Sequence, residues 1–329
     1  MTGRPLRFGV GIGGYSAGVP GGPEIADLAR GAEAVGFDAV HVGDHIQWHA
    51  PIHETTTVMA TVAAVTSRIR IASDVILLPL RDPVLIAKTV ASLDVLSGGR
   101  VVFGIGVGGE NPPEFAAMRV PLAERGSRAN ESLEIVRGLL TQERFSHAGR
   151  HYTIEDVTIA PRPLQPALPI WIGGTSDAAL RRAARHGDGW ISAFASERKF
   201  ARLTTALRGY LDAQGRSSAP FTWGAYLFAS LGPDAARARA TGATFIRRVY
   251  RLDGETIMDR FGIVGPVEAC VERVQAFVEA GADYLVVAPA CGHAEWPRQL
   301  EAHGELIARL GAGAETAAPW PGTSGKETP

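Results

Sequence analysis

The chain has 329 residues, of which 46% are hydrophobic and 20% charged, so it has ample material for a packed core and is not a disordered chain. Its net charge of -1 gives no support for nucleic acid or an anionic membrane as the main partner. Two cysteines, Cys270 and Cys291, cannot form a disulfide framework or a four-ligand zinc site, and no apolar run reaches the ~18 residues of a membrane span. We therefore expect a cytoplasmic protein with a small-molecule substrate.

Strand and helix patterns alternate along almost the whole chain. Short apolar or β-branched runs predict strands, and apolar residues three and four apart predict helices. The predicted strands are 6–12, 39–42, 69–78, 101–107, 169–172, 190–192, 221–229 and 284–288. One predicted helix begins at Pro23, and the others cover 86–96, 124–140, 176–185, 200–211, 267–278 and 295–310. Pro83 suits the first turn of the second of these helices, and Gly36 and Gly281 mark helix ends.

Eight such strands predict an α/β fold of the (β/α)8 TIM barrel type rather than a doubly wound sheet. Because these barrels have ~250 residues, the chain must also contain insertions at the C-terminal mouth and a tail. The candidate insertions are 44–55, 108–123, 143–168 with a predicted hairpin at 148–149, and 232–262, which has no readable pattern. We expect one barrel domain over 1–312 and a disordered tail over 313–329.

The segment after the second strand carries the first candidate chemistry, since active sites of such barrels lie at the C-terminal ends of the strands. Asp44 and His45 form a pair that can shuttle protons, although in isolation Asp44 could cap a turn and His45 could pack under a loop. Trp48 could form the wall for a planar ligand or cover a surface patch or dimer contact. Histidines recur at 41, 45, 49 and 53, but His41 lies in a strand and Pro51 interrupts the rest, so we expect no metal site.

Two glycine-rich segments follow later strands. The first contains Gly108 and Gly109 and lets a ligand approach the backbone closely, but prolines follow it where a dinucleotide fingerprint would begin a helix. Glu110 is then a possible acid, base or hydrogen-bond acceptor, or else a solvated surface carboxylate. The second segment consists of Gly173, Gly174, Thr175 and Ser176. It leads into a helix and predicts an anion site suited to a phosphate, and a hydroxyl that caps the helix is compatible with this interpretation.

Two other chemistries are disfavoured. Schiff-base catalysis requires a lysine at a strand end, and none of the three lysines, Lys88, Lys199 and Lys326, has that place. The Gly-x-Ser-x-Gly motif of hydrolases is absent from the sequence.

Several stretches resemble the bacterial luciferase-like monooxygenase superfamily, which contains flavin-dependent monooxygenases and coenzyme F420-dependent oxidoreductases. They are 36–45, 78–88, 93–100 and 169–176 with 188–190, and the match spans roughly 6–310. The resemblance implies a (β/α)8 barrel, a flavin-type cofactor at the C-terminal mouth and a homodimer.

The resemblance also implies roles for individual residues. Asp44 and His45 fall where F420-dependent members place a polar pair beside the deazaflavin, and Trp48 lies near an aromatic position that lines the substrate pocket in some of them. Val75 and Ile76 match the site of a non-prolyl cis peptide behind the ring. The first glycine segment matches the loop along the cofactor, and the second matches the phosphate-binding turn.

The chain departs from the family pattern at Glu110 and Asn111, where a tryptophan–asparagine pair is common. Some F420 dehydrogenases have a carboxylate there, which favours coenzyme F420 over FMN, as does the dominance of arginine among the basic residues. We expect an F420-dependent oxidoreductase that transfers a hydride between the deazaflavin and a small organic substrate. His45, oriented by Asp44, is our first choice for the proton group and Glu110 the second, while Trp48 shields the site. The alternatives are an FMNH2-dependent luciferase-like monooxygenase and a non-catalytic barrel that binds flavin or F420.

Overall fold

A closed barrel of parallel strands forms the centre of the computed structural model, which describes residues 5–311. The strands are β1 (Arg7–Ile12), β2 (Ala39–Val42), β3 (Arg70–Ser73), β4 (Ile76–Leu77), β5 (Val101–Gly106), β6 (Phe145–Ala148), β7 (Thr153–Val157), β8 (Ile170–Gly173), β9 (Gly189–Ser192), β10 (Thr222–Leu231), β11 (Gly262–Gly265) and β12 (Tyr284–Pro289). Parallel pairing runs through β1, β2, β3, β5, β8, β9, β10 and β12 and returns to β1. This confirms the predicted TIM barrel, and a barrel strand begins in each of the eight predicted strand segments. The predicted tail at 313–329 lies outside the described residues.

Helices surround the barrel. They are α1 (Gly22–Ala34), α2 (Thr55–Val65), α3 (Pro83–Ser97), α4 (Pro112–Ala117), α5 (Arg125–Thr141), α6 (Asp177–His186), α7 (Glu197–Ala213), α8 (Ala235–Tyr250), α9 (Gly254–Phe261), α10 (Val267–Glu279) and α11 (Trp296–Arg309). Pro83 begins α3 as predicted, and the Asp82 carboxylate caps it by accepting two backbone N–H groups. Within residues 5–311, no helix is both long and apolar enough to cross a lipid bilayer.

The structure corrects the sequence prediction in three segments. The predicted strand 69–78 is two strands, because β3 pairs with β2 and the beginning of β5, whereas β4 pairs with the end of β5. The patternless segment 232–262 contains α8 and α9, and α2 follows the loop after β2 without having been predicted. The hairpin in 143–168 is confirmed: β6 and β7 pair in antiparallel fashion.

Alternation along the strands separates the core into two parts. Outward side chains such as Phe8, Val10 and Phe103 are fully buried under the helices. Inward positions mix large rings with glycines, and a Cβ atom at Gly9 would lie only 2.5 Å from the ring of His41. The interior is therefore packed with side chains and is not a pore, so a ligand must bind at the mouth.

Candidate active site

His45 is held at the mouth by a carboxylate that the sequence analysis missed. Its Nδ1 atom lies 3.1 and 3.2 Å from the two carboxylate oxygens of Glu114, a side chain with no exposed surface. The same carboxylate accepts the backbone N–H of Ile46 at 3.1 Å. An ionised carboxylate can only accept hydrogen bonds, so this geometry places a proton on Nδ1 of His45 and leaves Nε2 as the other reactive nitrogen.

Trp48 stacks on His45. The ring centroids are 3.8 Å apart and the planes differ by 15°. The indole also makes an edge contact with Tyr250 at 6.1 Å, so it joins His45 to the aromatic side chains at the end of α8. This arrangement brings the predicted pair of His45 and Trp48 together and restricts the imidazole from one face.

The expectation that Asp44 orients His45 is wrong. Asp44 is buried, and its carboxylate accepts hydrogen bonds from Thr55 Oγ1 at 2.8 Å, from the backbone N–H of Leu77 at 2.9 Å and from Arg81 Nη2 at 2.8 Å. These partners belong to α2, β4 and the turn before α3. Asp44 therefore ties three segments behind the mouth together, and its side chain has no free face for a cofactor.

Glu110 is exposed, unlike Glu114. The next residue, Asn111, is buried and donates from Nδ2 to the backbone carbonyl of Gln47 at 2.5 Å, which holds this loop against the segment that carries Trp48. The short helix α4 then turns Glu114 inward. The two prolines at 112 and 113, which favour a first helical turn, are the sequence signal that could have placed Glu114 one turn after Glu110.

The floor of the mouth is built around Val75. A non-prolyl cis peptide joins Asp74 to Val75, one bond earlier than the pair to which the resemblance pointed. A Cβ atom at Gly106 would lie 2.5 Å from the Val75 side chain, and one at Gly173 would lie 3.0 Å from it, so both glycines make room for this valine. The Ile76 side chain is fully buried in the main core, so only Val75 of the predicted pair presents its side chain at the mouth.

Gly108 and Gly109 have the left-handed backbone that favours glycine, with φ of 59° and 125°. A Cβ atom at Gly108 would touch Leu77, and one at Gly109 would touch Arg125. The loop after β5 therefore needs both glycines for its course along the mouth, which agrees with their predicted place but does not by itself identify a ligand.

The predicted anion site gains a cation in the structure. Gly174 is also left-handed, with φ of 117°, and Ser176 caps α6 by accepting the N–H of Ala179. Lys199, in the first turn of α7, donates from Nζ to Thr175 Oγ1 at 3.2 Å. The N–H groups of a first helical turn lack partners within the helix, so an ammonium group and the positive end of α6 meet beside Thr175.

A buried chain of hydrogen bonds runs beneath the mouth. His41 Nδ1 lies 3.2 Å from an Asp74 carboxylate oxygen, and His41 Nε2 lies 2.9 Å from the hydroxyl of Tyr284. Burial raises the pKa of the Tyr284 phenol well above its ordinary value, so this hydroxyl remains protonated. His41 is thus a satisfied interior histidine. His53 hydrogen-bonds to the carbonyl of Pro20, so the fourfold histidine spacing does not gather these side chains at one point.

A model of the luciferase-like monooxygenase family matches residues 7–284. The chain belongs to this family.

Relatives with curated descriptions include F420-dependent enzymes. An uncharacterised protein of Mycobacterium tuberculosis is 38% identical over 214 residues, which cover 59% of this chain and 73% of that protein. An F420-dependent glucose-6-phosphate dehydrogenase of Nakamurella multipartita is 36% identical over 228 residues, which cover 66% of this chain and 65% of that enzyme.

Solved structures share the fold. The monooxygenase RslO1 from Streptomyces bottropensis superposes with a TM-score of 0.83 at 22% identity over 93% of this chain and 100% of that one. An F420-dependent secondary alcohol dehydrogenase in complex with an F420-acetone adduct gives a TM-score of 0.80 at 16% identity over 93% of this chain and 99% of that one.

Proposed function

We propose that this protein is a coenzyme F420-dependent oxidoreductase that transfers a hydride between the deazaflavin and a small organic substrate. The observation that carries the proposal is the unit of Glu114, His45 and Trp48 at the mouth, because it is a positioned proton group of the kind that hydride transfer to or from an oxygen-bearing carbon requires. The F420-dependent relatives support the choice of cofactor.

The residues at the mouth fit such a cofactor. The glycines that surround Val75 leave its side chain as the apolar floor against which a ring system can lie, and Lys199 with the N-terminus of α6 suits an anionic phosphate. When bound, a 5-deazaflavin supplies a ring carbon that gives or accepts a hydride and does not readily activate oxygen. We assign floor contacts to Val75, glycine-loop contacts to Gly108 and Gly109, and phosphate contacts to the segment 173–176.

The protein side chains have separate tasks in this proposal. His45 gives a proton to the substrate oxygen, or takes one from it, through Nε2, and Glu114 holds the ring and stabilises the charged form of the imidazole. Trp48 excludes water from one face of that imidazole. Glu110, at the exposed rim, is the second candidate for the proton group.

The alternative of a luciferase-like monooxygenase with reduced FMN retains one supporting observation, since the neighbour RslO1 is described as a monooxygenase. Separate titrations of the purified protein with F420 and with FMN, followed by fluorescence, distinguish the two. We expect an F420 response. Micromolar FMN affinity without an F420 response would make FMN, and not F420, the favoured cofactor.

Turnover distinguishes an enzyme from a non-catalytic binding protein. Positioned acid–base groups contribute ~10²–10⁴-fold in rate, so His45→Ala should lower turnover by about that factor while F420 affinity stays nearly unchanged. Thr175→Ala combined with Ser176→Ala should weaken F420 binding first. F420 binding without turnover across a broad panel of alcohols, ketones and enones would favour the non-catalytic function.

We also propose that the protein is a homodimer without nucleic-acid or membrane partners, as the family resemblance and the net charge of -1 suggest. Light scattering at micromolar concentration should give twice the mass of 34.8 kDa. A monomeric mass would contradict the proposal.

A further inference from the structure

A carboxylate lies directly behind the proposed cofactor floor and has no part in the steps described above. Asp74 follows β3 and precedes Val75, the residue whose side chain forms the floor. The Asp74 side chain is 7% exposed, and one of its carboxylate oxygens lies 3.2 Å from Nδ1 of His41. Asp74 is therefore a buried acidic group at the mouth end of the barrel interior.

The hydrogen bonds of His41 fit an ionised Asp74. Burial raises the pKa of the Tyr284 phenol well above its ordinary value, so its hydroxyl keeps the proton and can donate to Nε2 of His41, 2.9 Å away. A neutral imidazole that accepts at Nε2 carries its own proton on Nδ1. That Nδ1–H then donates to the carboxylate, as a protonated imidazole would also do. In both states the carboxylate is the acceptor and the negative member of the pair.

The charged groups of the barrel interior are separated along the strands. Arg7 and Arg70 are the first residues of β1 and β3, at the end of the barrel opposite to the mouth. Asp74 comes four residues after Arg70, which corresponds to about 13 Å at the rise of a β-strand. His41 lies opposite Ala72 in the register of β2 and β3, so Asp74 is also nearer to the mouth than its partner. The negative charge is thus closer to the floor than these cations are.

Three phenols lie close enough to Asp74 to be affected by its charge. Burial raises the pKa values of Tyr226, Tyr250 and Tyr284, and the negative charge of Asp74 adds to this effect for each of them. All three phenols therefore stay protonated and bring no further charge to the interior. Asp74 disfavours negative charge in its surroundings, and the side of the floor that a ring would occupy belongs to these surroundings.

A fixed negative charge behind the floor acts on a ring that lies against it. The ring of coenzyme F420 carries a hydroxyl group, and loss of its proton makes the ring anionic. Two like charges about 10 Å apart repel each other, at the effective dielectric constant of a protein, by an amount worth roughly tenfold in a protonation equilibrium. A neutral oxidised ring also accepts a hydride more readily than an anionic one, because negative charge on the ring repels the incoming hydride.

We propose that Asp74, which His41 holds behind the floor, favours the neutral form of the bound F420 ring and thereby favours oxidation of the substrate. This inference rests on the proposed function. In that direction the substrate carbon loses a hydride to the ring, which is reduced, and the substrate hydroxyl loses its proton to Nε2 of His45. Asp74 and His41 form and break no covalent bond in this step, since they act through charge alone.

The test measures the ionisation of bound F420 through its visible absorption, which differs between the neutral and the anionic ring. The full chain is loaded with oxidised F420, and spectra are recorded over a range of pH around neutrality. Asp74→Asn keeps the shape of the side chain and an oxygen that accepts from His41, but removes the charge. We expect the ratio of anionic to neutral ring at a given pH to be about tenfold higher in Asp74→Asn than in the wild type.

Two further variants make the comparison specific. Asp38→Asn is the matched control, because Asp38 is a second buried carboxylate of the barrel but precedes β2 at the end opposite to the mouth. It should leave the ratio within about twofold of the wild type, since charge interactions weaken with distance. Asp74→Ser removes the charge with a smaller side chain, and it takes the place of Asp74→Asn if circular dichroism shows that the asparagine variant does not fold.

The outcomes separate this inference from the proposed function. F420 binding with an equal or lower ratio in the Asp74 variant than in the wild type would overturn the inference and leave the proposed function intact. An equal rise in Asp38→Asn would assign the effect to the loss of any buried charge and would overturn the inference as well. If F420 does not bind to the wild type, the proposed function itself is contradicted, and the inference is overturned with it.

Discussion

Replacing Glu114 with glutamine tests the central claim about His45. Glutamine preserves the shape of the side chain but offers one acceptor oxygen and one NH2 donor. The carboxylate receives two donors, the backbone N–H of Ile46 and the Nδ1–H of His45. One of these would face the new NH2 group unless the imidazole moves its proton to Nε2, so Glu114→Gln should change the tautomer of His45.

The loss of folding stability in Glu114→Gln follows from the burial and the charge of the carboxylate. Glu114 is fully buried, and hydrogen bonds to charged groups contribute about 1.5–3 kcal/mol each, so losing one should destabilise the fold by about 2 kcal/mol. The effect on rate should be larger. Because Nε2 of His45 would then already carry the proton and the imidazolium would lose its counter-charge, turnover should fall by about 10²-fold or more. F420 affinity should change little, since Glu114 does not face the floor or the anion site.

Three measurements check this prediction. Nitrogen NMR of histidine-labelled protein reports the tautomer, with the His45 signals assigned from His45→Ala. Chemical denaturation gives the free energy of unfolding, and steady-state turnover gives the rate. Glu272→Gln, on the exposed face of α10, is the matched control. An unchanged tautomer together with wild-type turnover in Glu114→Gln would refute the reasoning.

The remaining predictions concern the floor, the anion site and the response to acid. Gly106→Ala places a Cβ atom 2.5 Å from Val75 and should destabilise the fold by about 1–3 kcal/mol. Gly209→Ala, whose Cβ position in α7 faces open space, is the control and should stabilise the fold by about 0.5–1 kcal/mol. Equal free energies of unfolding for the two variants would contradict the packing argument. Lys199→Met should weaken F420 binding by about tenfold with turnover at saturation nearly unchanged, and fluorescence titration showing wild-type affinity would remove the lysine from the anion site. His303 is buried in α11, and this burial lowers its pKa to about 4. The stability that the neutral side chain contributes is therefore present above its unfolded pKa of about 6.5 and is lost as the pH falls toward 4. Over that window, His303→Leu should lose less stability than the wild type, by about 3 kcal/mol in denaturation curves, and an identical pH slope would refute this.

The sequence alone predicted the barrel because the fold repeats local signals. Each strand is a short apolar run with a recognisable end, and alternation with helices leaves few architectures. The prediction was weakest where the local signal is weak. The helix α2 consists largely of threonine, valine and alanine, and β-branched residues are poor helix formers. Packing against α1 and α3, together with the Glu54 carboxylate that caps the first turn, explains why Thr55–Val65 is helical.

Part of the candidate site was also predictable from local sequence signals, and part was not. Motifs read from the chain placed His45, Trp48 and the glycine segments at the mouth, since strand ends and glycine conformations are local properties. Neighbouring residues in the sequence do not determine which carboxylate contacts the imidazole of His45. Asp44 is next to His45 in sequence but turns to Thr55 and Arg81, and Glu114, 69 residues away, takes its place. In the barrel only β3 lies between β2 and β5, so the loops after these two strands meet at the mouth, and the buried carboxylate finds donors that are distant in the chain.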